Sequence, residues 1–126
     1  MEKYLLLIAL IIVGVFGQIL LKMTAAQLVP QLPEINSVGT LLQAIFIFLK
    51  SYKILSLILI YATGFFLWFL CLTKFQLSYA FPLMTATIYM LILFFSWVFL
   101  KEPLTAMRIA GALFIAAGIL FIAKSA

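Results

Sequence analysis

ILSLILIYATGFFLWFLCLT, residues 54–73, runs for 20 positions without one charged side chain. A helix needs roughly 20 mainly apolar residues, at about 1.5 Å rise each, to cross the ~30 Å hydrocarbon core of a bilayer. The stretch meets that length, and it is one of four. The others cover residues 4–22, 78–100 and 104–123, the last interrupted only by Arg108. Backbone amides in lipid must be satisfied within a helix or around a closed barrel, and runs this long without two-residue alternation exclude the barrel. The sequence therefore predicts an all-α integral membrane protein, a single domain spanning residues 1–126 and built as a four-transmembrane-helix bundle.

Composition agrees. Of 126 residues, 68% are hydrophobic and 9% charged, whereas soluble domains carry about 25% charged residues. The first run follows Lys3 and precedes Ala25-Ala26, which raises a cleaved signal peptide as an alternative. A signal h-region is about 7–15 residues, and this run is longer and ends in Lys22. The net charge of +5 comes from single basic residues at helix ends, so it reads as interfacial anchoring and not as a nucleic-acid surface. Cys71 is the lone cysteine and histidine is absent, so an internal disulfide is excluded. The usual ligands for a metal and the usual general base are missing too. We expect no enzyme chemistry, no cofactor and no metal.

Residues 23–53 form the one long connection, broken by Pro30, Pro33 and Gly39. Within it, Leu41, Leu42, Ile45, Phe46 and Leu49 recur at helical spacing before Lys50 and Lys53. This suits a short interfacial helix over residues 38–50, or else an extension of the second span. The remaining connections are short, which forces antiparallel neighbours into an up-down-up-down bundle. Such a bundle is too small to enclose a solute path alone, so transport implies a dimer. Lys3, Lys74 and Lys124 fall on one side and Lys22, Lys50, Lys53, Lys101 and Arg108 on the other. A bias of that size specifies orientation weakly.

Polar residues inside spans are costly and usually face a bundle interior or cavity. Gly14, Gln18 and Lys22 share one face of the first span at four-residue intervals. The Gln18 amide is too short to reach water, whereas Lys22 can snorkel as a plain anchor. Pro82 removes a backbone hydrogen bond near the start of the third span, and Thr85, Thr87 and Tyr89 add polarity to its middle. Glu102 lies at the membrane boundary beside Lys101 and near Arg108, which also suits an ordinary surface ion pair. In the fourth span Gly111 and Gly118, flanked by Ala110 and Ala117, form a strip of small residues suited to close helix association, between subunits or within one.

Four stretches together resemble the drug/metabolite transporter superfamily, which includes the small multidrug resistance exporters: Gly17-Gln18-Ile19-Leu20-Leu21-Lys22, Tyr79-Ala80-Phe81-Pro82, Leu100-Lys101-Glu102-Pro103, and Ile109-Ala110-Gly111 through Gly118-Ile119. Multidrug members carry an essential glutamate where this chain has Gly14, and no acid lies within any span here. The pattern is more similar to the aminoarabinose-phospholipid flippase subunits, with Phe81 standing where those have Tyr and Tyr79 two residues earlier. That resemblance implies a multi-pass protein of a bacterial inner membrane, working as a homodimer, with antiparallel pairing known among the multidrug relatives. The substrate it implies is a lipid-linked sugar phosphate, contacted by Gln18, Lys22, Tyr79, Pro82, Tyr89, Glu102 and Arg108, with Gly111 and Gly118 at the dimer interface. A polyprenyl-phosphate-linked sugar is the leading expectation. A small-cation or multidrug exporter and a non-transporting accessory membrane subunit are the alternatives.

Overall fold

A computed structural model describes residues 1–125. It contains five α-helices: α1 (Glu2–Leu28), α2 (Val38–Lys50), α3 (Tyr52–Lys74), α4 (Leu77–Phe99) and α5 (Ala106–Lys124). Among the described residues, α1, α3, α4 and α5 are long and apolar enough to cross a membrane. The protein is an all-α, four-helix, multi-pass membrane bundle.

The expected span boundaries match α3, α4 and α5 to within two residues at each end, but α1 runs six residues past Lys22. Residues 23–28, Met-Thr-Ala-Ala-Gln-Leu, are mostly good helix formers and nothing stops the helix before Pro30, which opens a short 3₁₀ turn over Val29–Gln31. At 27 residues, α1 is about 40 Å long, more than the hydrocarbon core requires, so it tilts or projects beyond it. At the same end, Lys53 donates to the side-chain oxygen of Gln27, tying α1 to the start of α3.

Helix α2 is a separate element and not a straight extension of the second span. Ser37 and Thr40 form a reciprocal capping box at its start. At its end Ser51 has extended backbone (φ −72°, ψ 121°), which breaks the helix before α3 begins. Only Ala44 of α2 is buried, where the helix touches α3, and Leu42, Phe46 and Leu49 are exposed.

Successive spans are antiparallel, but they do not pack in chain order. Helix α1 lies between α3 and α4, while α5 packs mainly on α4, giving a row α3–α1–α4–α5. Two glycines of α1 permit this. A Cβ on Gly17 would stand 3.2 Å from Ile60 Cγ2 of α3, and one on Gly14 would stand 2.7 Å from Ile88 Cδ1 of α4. Small residues let helix backbones approach in lipid, where dispersion and close packing replace the hydrophobic effect. A buried cluster lies near the α1 N-terminus, where Leu7, Leu10 and Cys71 pack against Trp68, Leu83 and Met84.

Candidate functional site

Helices α1 and α4 enclose an apolar groove of about 600 Å³, walled by Phe16, Ile19 and Met23 of α1 and by Leu91, Phe95 and Phe99 of α4. Lys22 and Glu102 do not line it, but Met23 and Leu100 of its lining stand one and two residues from them in the chain. Lys22 Nζ lies 3.6 Å from Glu102 Oε1, with 62% and 39% of the two side chains exposed. This is the one salt bridge among the described residues. Exposure at that level keeps the pair weak, because water screens it and both side chains lose rotamer freedom.

Local geometry explains how a loop carboxylate comes to face α1. Helix α4 ends at Phe99, and Lys101 adopts a left-handed conformation (φ 54°), turning the chain back on the helix. The Glu102 amide then donates to the Ser96 carbonyl at 3.2 Å, and the buried Ser96 hydroxyl donates to Glu102 Oε2. A non-glycine residue at positive φ costs on the order of 1 kcal/mol. The Ser96 hydroxyl holds the Glu102 carboxyl below its ordinary pKa, and Lys22 and Arg108 lower it further against a partial desolvation effect.

Arg108 does not pair with Glu102 directly. Its Nη1 donates to the Pro103 carbonyl at 3.2 Å, and its own amide donates to the Thr105 side chain that caps α5. Its guanidinium therefore braces the 100–105 loop and adds positive field there.

The other expected contacts are dispersed. Gln18 occupies the α1 stripe between Gly14 and Lys22, is exposed, and makes no hydrogen bond among the described residues. Tyr89 is exposed halfway along α4. Pro82 leaves the Ser78 carbonyl without a backbone donor, but it lies near the opposite end of α4, as does Tyr79. Twenty residues of helix separate Tyr79 from Phe99, roughly 30 Å, so one chain does not bring Tyr79 and Pro82 to Lys22. Thr85 and Thr87 donate to the Phe81 and Leu83 carbonyls of their own helix, which engages their hydroxyl protons. Gly111 and Gly118 are exposed on α5, and a Cβ at either would meet nothing within 4 Å. That strip does not serve packing within the subunit.

Ser96 is the site residue that sequence reasoning missed. A serine in an apolar helix ordinarily bonds back to its own backbone. Only the left-handed turn at Lys101 redirects it to a carboxylate. No group of His, Cys, Asp and Glu side chains capable of holding a metal occurs among the described residues. Comparison with known protein families, with curated proteins and with solved structures gave no match for this chain.

Proposed function

We propose that this protein carries an amphiphilic anion, a polyprenyl-phosphate-linked sugar, between the leaflets of a bacterial-type inner membrane, acting as a homodimer. The observation that carries this reading is the apolar α1–α4 groove, whose lining residues Met23 and Leu100 neighbour the paired Lys22 and Glu102 in the chain. An apolar groove suits a chain that never leaves the hydrocarbon. A cation near one end of it suits the phosphate that must be kept from the hydrocarbon.

Lys22 acts as a point charge for the phosphate, and Gln18 donates its amide hydrogens to phosphate or sugar oxygens. Glu102 is the weak, water-screened partner of Lys22 when substrate is absent, and an arriving phosphate displaces it. The exposed strip at Gly111 and Gly118 supplies the contact between subunits. The resemblance of the Gln18–Lys22, Tyr79–Pro82 and Lys101–Pro103 stretches to flippase subunits supports the same substrate class. The cation-exporter alternative needs a buried acid in α1, and the equivalent position, Gly14, has Ile88 against it.

A ligand panel tests the sign of the substrate. Ligands that bind only the folded state raise the melting temperature by mass action, by about 2.7 kcal/mol of stability at a hundredfold excess over Kd. Polyprenyl phosphates should stabilise the protein, and lipophilic cations such as tetraphenylphosphonium should not. Stabilisation by the cations alone would put the exporter reading first.

A further inference from the structure

At the end of the bundle opposite Lys22 the structure holds a second recess, of about 370 Å³, where the start of α1, the end of α3, the start of α4 and the end of α5 meet. Lys3 and Lys74 line it together with Tyr4, Phe75, Ser78 and Tyr79. Among the described residues no carboxylate side chain lines it and neither lysine forms an ion pair. We propose that this recess is a binding site for the phosphate of an anionic phospholipid in the leaflet facing Lys3, separate from the groove at Lys22 and independent of any transport reading.

Charge and hydrogen bonding both favour an anion. Two ammonium groups on different helices converge on one concavity, and the hydroxyls of Ser78 and Tyr79 offer neutral donors beside them. Lys3 is held in place by aromatic faces, with Nζ 5.2 Å from the Tyr4 ring centre and 5.6 Å from that of Phe75. Phe75 in turn packs edge-on to Tyr4 and stacks on Tyr79. The wall carrying the lysine is thus a continuous aromatic unit with its charge presented to the recess. Helix α4 opens there without a side-chain cap, so its first-turn amides add partial positive charge to that of the lysines.

Position favours a lipid phosphate over a free one. Four span ends and three aromatic rings meet at this level, which is the arrangement found where helices pass the headgroup layer. A phospholipid seated there has its phosphate beside the lysines and its acyl chains along the outer faces of α1 and α4. Lys3 and Lys74 are themselves exposed, so replacing them does not open the core.

The test uses the full chain in a neutral detergent, titrated with short-chain phosphatidylglycerol, with phosphatidylcholine or with inorganic phosphate, and followed by melting temperature. Phosphatidylglycerol should stabilise saturably. Lys3→Gln and Lys74→Gln should each weaken the apparent affinity about fivefold, and the pair on the order of thirtyfold. All of these are measured in a Lys22→Gln background, which removes the phosphate-binding cation proposed for the groove. Lys50→Gln with Lys53→Gln removes the same charge from the opposite end and should leave the affinity unchanged. Equal weakening by that control, or an unaltered response in the Lys3 and Lys74 double variant, would overturn the site. Equal stabilisation by inorganic phosphate would overturn the lipid as its ligand.

Discussion

Lys22→Gln and Glu102→Gln should move substrate binding in opposite directions while leaving stability almost unchanged. The pair is separated by 3.6 Å and is largely exposed, a class of ion pair that contributes little to folding. Loss of either partner should therefore shift the melting temperature by no more than about 5 °C. Binding differs, because a charge-assisted hydrogen bond to phosphate contributes on the order of 1.5–3 kcal/mol. Lys22→Gln should weaken a polyprenyl phosphate roughly ten- to a hundredfold. Glu102→Gln removes the competitor for Lys22 and should tighten binding, by up to about fivefold. The double variant should behave as Lys22→Gln alone, since there is no longer a cation to compete for. Binding is read by thermal shift, and transfer by the accessibility of a lipid-linked sugar in sealed vesicles, where Lys22→Gln should stop transfer. If Glu102→Gln weakens binding as Lys22→Gln does, the carboxylate positions the lysine or touches the substrate, and the competition argument fails.

Gly14→Ala should be nearly silent, because the neighbouring atom is the mobile end of Ile88, whereas Gly14→Leu should cost about 1–3 kcal/mol by forcing α1 from α4. Gly14→Glu should not create export of cationic dyes, and dye efflux by that single variant would show that the close approach to Ile88 yields easily. Gly111→Leu with Gly118→Leu should leave the subunit folded, since nothing lies within 4 Å of either site. The same variant should turn dimers into monomers in mild detergent, and unchanged crosslinking would remove α5 as the interface. Glu102 has a folded pKa below its ordinary value of 4.5, so its contribution is complete above that pH and is lost as pH falls through the lowered value. Ser96→Ala should move that loss to higher pH. Carboxyl carbon resonances of labelled glutamate, with Glu102→Gln as the assignment, report the shift, and an unmoved titration would deny the Ser96 hydroxyl its role.

Residues 4–22, 54–73, 78–100 and 104–123 announce their helices because apolar length and internal hydrogen bonding leave lipid-exposed backbone little other choice. The short helix at 38–50 is legible in part, since its apolar residues recur at helical spacing, but only the extended backbone at Ser51 separates it from the second span. Lys22 and Glu102 can be singled out from sequence because charge at a membrane boundary is scarce. Their pairing cannot, because it depends on a left-handed Lys101 and a redirected Ser96 hydroxyl. The third span's bounds already put Tyr79 and Pro82 at the far end from Glu102, but only the structure joins Tyr79 to Lys3 and Lys74 around a separate recess. Local pattern determines which segments cross the bilayer, since each helix satisfies its own backbone. Which helices touch is decided by where glycines permit close approach, as at Gly14 and Gly17. That choice, made only in three dimensions, leaves α1 between its neighbours and the apolar groove between α1 and α4.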